Sequence, residues 1–359
     1  MDRKAATLIC LALCLACFLV GQLFPMPGAA GEARGRALVA LRGGEGDQGR
    51  CSASELSARE AGHASGAALR QRLVAKWAAG GSVAAWDQQV PLDSAPAWNS
   101  PTIWDIWAPT YGCQQPVHVG GVGSSKWATA LPLESKAVCN PHQMRAMRDC
   151  VIYSFGVGWD TTFEISMLRL APHCKVRVFD PTTTAEKFWQ LVEAQTPDGE
   201  TPPAPPALDF VKVGLAAETS GNYREGQLWN NVESISVMTL EDIMKQQGDE
   251  HLSILKVDIE GSEWTALPQA CDAGSMAKVD QLLLEVHMGG CEAGYRQHNR
   301  GKLAGLFEKL EAVGMRGISN IPNLVPVSKG SYPGCAEYTF VNKNGPFVTH
   351  SCGAGAPVA

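Results

Sequence analysis

The chain is short of charge, and of positive charge in particular. Charged residues make up 18% of it, and 30 Lys and Arg stand against 36 Asp and Glu, a formal net charge of -6. A nucleic-acid backbone as main partner asks for a basic face, so this balance argues against one. No block of like charges makes an acidic or basic tail. Outside the N-terminal apolar run no two cysteines have the C-x-x-C spacing of a zinc or dithiol site, so cysteine predicts no metal. There is no Asn-x-Ser/Thr sequon, so glycosylation says nothing about compartment. Beyond the N-terminus no apolar run is long enough to span a bilayer.

What is present begins with that N-terminus. Arg3 and Lys4 precede an apolar run from Ala5 to Val20, and Pro25, Pro27, Gly28, Ala29 and Ala30 follow. A basic start, an apolar core and small residues make residues 1–30 a secretory signal peptide, or a signal anchor holding the membrane through residues 5–20. The expected location is therefore the ER or Golgi lumen, or outside the cell. Of 12 cysteines, Cys10, Cys14 and Cys17 lie in the apolar run, and several of the others should pair in an oxidising lumen. Their odd number leaves at least one free or intermolecular.

Residues 31–112 read as a stem followed by an irregular arm. Ala, Gly, Ser and Arg dominate as far as residue 65, without hydrophobic periodicity, which predicts a flexible segment. Leu69, Leu73, Val74 and Trp77 suggest an amphipathic helix over 66–79. Pro91, Pro96, Pro101 and Pro109 exclude a long helix in the arm, where Trp86, Trp98, Trp104 and Trp107 should pack on the domain C-terminal to it.

From residue 113 to 345 strands alternate with helices. Strands are expected at Val117–Gly120, Val151–Phe155, Lys175–Phe179, Phe210–Val213, Ile254–Val257, Gln281–Val286, Arg316–Asn320 and Ala336–Asn342. Helices are expected over 163–170, 185–194, from Thr239 with a capping box to Asp242, and over 302–313. Five prolines make 196–206 an exposed loop, 219–231 is polar and turn-rich, and 346–359 reads as a flexible tail. The alternation predicts an α/β, doubly wound, mostly parallel sheet.

The chemistry concentrates at strand ends. Ile254, Leu255 and Val257 form a short apolar run closed by Asp258, with Glu260 and Glu263 just beyond. In open α/β sheets ligands bind outside the carboxyl ends of the strands. Gly156-Val-Gly158 follows another strand at once, where glycine permits close backbone approach and a helix start offers free N–H groups. Asp180, ending the next strand, is placed to accept from ribose hydroxyls. That layout suits NAD as well as S-adenosylmethionine, but Thr161 stands where a dinucleotide fingerprint needs a third glycine.

Val151-Ile-Tyr-Ser-Phe-Gly-Val-Gly158, Val178-Phe-Asp-Pro181, Ile254-Leu-Lys-Val-Asp-Ile-Glu-Gly-Ser-Glu-Trp264 and Leu283-Leu-Glu-Val-His287 together resemble class I S-adenosylmethionine-dependent methyltransferases. More narrowly they resemble the FkbM-type and methyltransferase-like secretory group. The resemblance implies a Rossmann-like seven-strand sheet whose last strand is antiparallel. It also implies S-adenosylmethionine as cofactor, with Gly156 and Gly158 facing its methionine and ribose, Asp180 on the ribose diol and Gly214 near the adenine. Asp258 and Glu260 would line the reaction centre. The chain departs from the family at Ser154, where an acidic residue is usual, and Glu164 is the residue placed to compensate. It also departs over 120–139, where Ser124, Ser125 and Lys126 replace a glycine and acidic core.

An oxygen acceptor must lose a proton, and His287, ending the strand beside Asp258, is the expected base by residue type. Asp258, Glu260 and His287 can together hold a hard cation, though nothing in the spacing demands one. The leading reading is O-methylation of a small molecule or glycan. The alternatives are a catalytically inactive binding module on the same fold, motivated by the two departures, and an NAD-linked oxidoreductase.

Overall fold

The computed structural model describes residues 50–77, 107–121, 135–223, 234–288, 300–322 and 335–350, all within one compact unit, Asp47–Ala359. The N-terminal apolar run expected to act in targeting lies outside the described residues. Among those described, no helix is long and apolar enough to cross a membrane.

The chain enters through helix α1 (Ala53–Trp77), which takes in the last part of the segment expected to be flexible and most of the helix expected over 66–79. Its start is a capping box: the Glu55 amide donates to Ser52 Oγ at 3.2 Å and the Ser52 amide donates back to Glu55 Oε2 at 2.8 Å. Polar pairs hold this helix. Arg316 Nη2 donates to Glu60 at 2.9 Å, Arg70 Nη2 to Glu311 at 2.6 Å, and His63 Nδ1 lies 2.7 Å from Thr110 Oγ1. Of the arm's tryptophans, Trp107 is described. It is buried against Phe307 with the Arg70 guanidinium 4.3 Å over its ring.

Strands β1 (Pro116–Val119) and β2 (Lys136–Cys139) pair antiparallel as a separate hairpin, followed by a 3-10 turn at Pro141–Ala146. Then come β3 (Val151–Phe155), α2 (Thr162–Leu170), β4 (Lys175–Phe179), α3 (Ala185–Gln195) and β5 (Leu208–Val211). A small three-stranded sheet, β6 (Gly214–Leu215), β7 (Ser220–Tyr223) and β8 (Ile235–Met238), fills part of the span read as turns. Helix α4 (Leu240–Gln247) is capped by Thr239, whose side chain accepts from the Asp242 amide as its sequence predicts. Strand β9 (Leu252–Val257), helix α5 (Glu263–Asp272), strand β10 (Val279–His287), helix α6 (Arg300–Ala312), and strands β11 (Met315–Pro322) and β12 (Cys335–Asn342) complete the order. The expected tail opens instead with a short helix, α7 (Pro346–Thr349), which buries Phe347 and Val348.

The main sheet has seven strands in the order β11-β12-β10-β9-β3-β4-β5. β12 runs antiparallel to both its neighbours, and the other pairs are parallel. This is the expected Rossmann-like sheet with its last strand reversed. Alternate residues feed two apolar layers. Tyr153, Leu255, Leu282 and Leu284 pack on one face with Leu303, Leu306, Phe307 and Leu310 of α6. Ile152, Ile254 and Leu283 pack on the other with Phe163 and Met167 of α2.

Two disulfides are Cys113–Cys139 and Cys150–Cys174. Cys51 and Cys335 are also disulfide-bonded, and Cys271 is free and buried.

Candidate functional site

The face of the sheet carrying Ile152 and Ile254 is not wholly apolar. Toward the carboxyl ends of the strands the same alternation that turns Ile152, Ile254 and Leu283 inward turns Ser154, Lys256, Glu285 and Glu337 to that face. Ser154 is paired in register with Lys256, and Glu285 with Glu337. All four are largely buried, and Asp258 and His287 continue the row past the strand ends. Buried charge persists only when paired, and each member has its partner.

At one end Ser154 Oγ donates to Glu164 of α2. Glu164 thus fills the place beside Ser154. Burial raises its pKa, Lys256 pulls it back, and Glu164 Oε2 has no hydrogen-bond partner. Lys256 Nζ donates to the Gly156 carbonyl at 2.6 Å.

The glycine turn comes next. Gly156 has φ 79°, and a Cβ there would lie 1.7 Å from the Asp258 carbonyl oxygen. Its glycine is therefore required by contact with the β9 end as well as by its left-handed backbone. Gly158 has φ 54° and open space where its Cβ would be. Asp180 is buried behind the turn. Its Oδ2 accepts from the amides of Val157 at 3.1 Å and Gly158 at 3.4 Å. Its Oδ1 accepts from the Thr182 amide and hydroxyl, both at 2.7 Å, and from the Thr183 amide at 3.0 Å. Both oxygens are engaged by the chain itself, so Asp180 here braces the turn, and a ribose diol would have to displace one of these bonds. Gly214 sits in β6 with Pro181 and Val237 against its α-carbon, where a Cβ would meet them at 3.0 and 3.2 Å.

At the other end lies a knot of charge. His287 is buried, with Nδ1 3.1 Å from Glu263 Oε1 and Nε2 3.3 Å from Glu260, 3.9 Å from Asp258 and 4.0 Å from Glu285. Glu263 also accepts from the amides of His287 at 2.9 Å and Gly261 at 2.8 Å. Burial works against a charge on His287, but Glu263 first, then Glu285 and Glu260, outweigh it and hold its pKa well above the ordinary value. A ring held protonated has no lone pair to take a proton, so the expected role of His287 as base does not fit this arrangement. Glu260 carries φ 56°, a left-handed backbone for a residue that is not glycine, and strain of this kind clusters at functional sites.

Beside it, Lys136 of β2 reaches into the row. Its Nζ contacts Glu337 and lies 3.2 Å from Asp258 and 3.9 Å from Glu285. Burial disfavours its charge and the three carboxylates more than restore it, so its pKa stands well above the ordinary lysine value. For Asp258 burial pushes the pKa up, but Lys136, Lys256 and His287 prevail and hold it well below the carboxylate range. Glu285 goes the other way: burial and the nearby Asp258 and Glu337 raise its pKa well above the ordinary value, against the pull of Lys136 and His287. Asp258, Glu285 and Glu337 have oxygens close enough together to hold an ion, and the Lys136 ammonium already stands among them.

The side chains of Lys136 and His287 are 4% and 3% exposed, whereas Asp258 and Glu260 are 24% and 34% exposed. The cations stand behind and the carboxylates face out. The structure thus brings Gly156, Asp258, Glu260 and His287 to one edge, and sets Asp180 and Gly214 beneath it. Sequence reasoning missed Lys136, Lys256, Glu285 and Glu337 as members, and named Glu263 only as a neighbouring carboxylate. The signal was there: charged residues inside otherwise apolar strands, at positions sharing one face.

A cavity of about 530 Å³ lies at the opposite edge of the sheet, lined by Arg148, Asp149, His251 and Asp280 among others. It is at the strands' amino ends, away from these groups.

A family profile described as a methyltransferase domain matches residues 77–329. The curated protein "Probable methyltransferase-like protein 24" of Homo sapiens is 28% identical over 155 residues, 41% of this chain and 35% of that protein. Its Rattus norvegicus counterpart is 26% identical over 157 residues, with the same shares. The match thus spans 35% of the length of these relatives. Among solved structures, the fibrillarin pre-rRNA processing protein of Methanococcus jannaschii aligns with 64% of this chain and 90% of its own, at TM-score 0.33 and 9% identity. The 16S rRNA methyltransferase KamB aligns with 64% and 100%, at TM-score 0.33 and 13% identity. These matches speak to the methyltransferase domain and not to the narrower FkbM type.

Proposed function

The chain belongs to this methyltransferase-domain family, which implies S-adenosylmethionine as methyl donor, and we propose that it transfers the methyl group to an oxygen of a small molecule or glycan in the secretory pathway. The observation that carries the reading is the pair of outward carboxylates, Asp258 and Glu260, at the strands' carboxyl edge beside the glycine turn, with two buried cations fixed behind them.

The residues present fit the donor. Gly158 leaves open space at the turn, and the charged Asp258 carboxylate suits a neighbouring sulfonium. Gly156 and Gly158 would hold the methionine and ribose side, Asp180 would act through the turn it braces, and Gly214 would shape the adenine side from beneath Pro181. When bound, the cofactor supplies a methyl group open to in-line attack, so the protein's task is chiefly placement of the acceptor. Asp258, held ionised, would face the sulfonium side of the site. Glu260, the more exposed carboxylate, would accept the acceptor hydroxyl's hydrogen bond and take its proton as the new bond forms. His287 anchors both. The disulfides are compatible with an oxidising compartment.

The filled Asp180 carboxylate favours a second reading, a family member that no longer binds the donor. Calorimetric titration with S-adenosylmethionine and with NAD separates them: the proposal requires binding of the first and not the second. With donor bound, tritiated methyl from S-adenosylmethionine should enter the small-molecule or glycan fraction of a secretory extract. Asp258→Asn should cut that transfer roughly 10²-fold. Label found in protein alone, or an unaffected variant, would overturn the assignment.

A further inference from the structure

Strand β2 is not part of the main sheet, yet it is bound tightly to it. Gln281 of β10 holds the Cys139 amide and carbonyl at 2.9 and 2.8 Å, and Thr339 Oγ1 of β12 donates to the Ala137 carbonyl at 2.7 Å. The disulfide Cys113–Cys139 ties the same strand to the chain before β1. From Cys139 back to Lys136, β2 therefore runs along β10 from Gln281 toward Glu285. It delivers Lys136 to the place where Glu285 and Glu337 are directly opposed across the β10–β12 ladder. Like charges in that relation destabilise a sheet, and the third carboxylate at this point is Asp258.

A lysine at 4% side-chain exposure loses nearly all its hydration. The geometry explains why it is there: its ammonium sits among three carboxylates from β10, β12 and the end of β9. Of the three, Asp258 is the one that faces out.

We propose that Lys136 is a positioning residue for methyl transfer, a built-in cation that keeps the outward Asp258 carboxylate ionised and fixed at the end of β9. This rests on the methyltransferase reading. Lys136 touches no reactant. It acts through Asp258, by opposing, together with Lys256 and His287, the burial that would otherwise protonate it.

The test follows the Asp258 carboxyl carbon by 13C NMR in aspartate-labelled protein without ligand, with Asp258→Asn to assign the signal. In the wild type the signal should not titrate down to about pH 4, the ordinary aspartate range. In Lys136→Met it should titrate above that, and in Lys136→Arg, which keeps a cation, it should again stay flat. A second arm measures affinity for S-adenosylmethionine, whose sulfur is charged, against S-adenosylhomocysteine, whose sulfur is neutral. Lys136→Met should lose about 10-fold of the preference for the charged form at acid pH and regain it as pH rises, with Lys136→Arg near the wild type.

The same Asp258 titration in wild type and Lys136→Met, or an affinity loss equal for both ligands at every pH, would overturn the proposal. Should Lys136→Met not fold, the wild type decides alone: an Asp258 that titrates as an ordinary aspartate overturns it. If the wild type binds neither ligand, the methyltransferase reading fails, while the carbon titration still rules on Lys136.

Discussion

A single methyl group added at position 156 or at position 158 meets two different constraints in the same turn. Both glycines have positive φ, so alanine at either is strained by about 1–2 kcal/mol. At Gly158 that is the whole cost, because the space is open. At Gly156 the new Cβ would stand 1.7 Å from the Asp258 carbonyl oxygen, and the ends of β3 and β9 must part. Urea unfolding should therefore show Gly158→Ala losing about 1–2 kcal/mol and Gly156→Ala on the order of 3 kcal/mol or more. Equal losses would mean the two strand ends are not in the contact described. The difference also shows what a glycine motif in a sequence leaves open. Gly156-Val-Gly158 marked a turn that the fold does make, but the first glycine serves the protein's own backbone and the second faces free space.

Between elements, the buried pair of Glu263 on α5 and His287 on β10 is the main polar link at the carboxyl edge. Glu263→Ala removes acceptors for the His287 ring, the His287 amide and the Gly261 amide. Breaking a buried pair of this kind costs about 3–5 kcal/mol. The pH dependence carries the signature. His287 has a folded pKa raised above 6.5, so its contribution is fully present below that value and is lost as pH rises through the higher folded value. Wild-type stability should fall on the alkaline side, and Glu263→Ala should flatten that fall. A variant with the same alkaline slope as the wild type would place the titration elsewhere.

At this scale the sequence was legible wherever one apolar pattern dominated. The parallel strands read as short apolar runs, α6 showed its three-four spacing, and Thr239 announced its cap. The first half of helix α1 was missed because polar pairs such as Arg316–Glu60, and not an apolar stripe, hold it, although Ser52 and Glu55 spelled its start. The residues bearing on Asp258 were hidden for a related reason. Lys136, Glu285 and Glu337 are each unremarkable in their own segments and meet only through the pairing of β10 with β12 and the lie of β2 across them.

Across the whole molecule, Cys113–Cys139 spans 26 residues and anchors the hairpin to the segment before it. A crosslink closing a loop of this size contributes about 3 kcal/mol. Replacing both cysteines by serine should lower stability by about that amount in urea unfolding, and a dithiol reductant, which also opens Cys150–Cys174 and the bonds of Cys51 and Cys335, should cost the wild type at least as much. No loss in either would show the hairpin to be held by its hydrogen bonds alone. If the loss is seen, birth and readiness of this protein are separate events. A newly made chain still in a reducing environment lacks the staple that holds β2 in place, and with it the counter-ion at the strand ends. Oxidation would then be a step in the protein's completion, and a chain kept reduced would hold its Lys136 counter-ion less firmly.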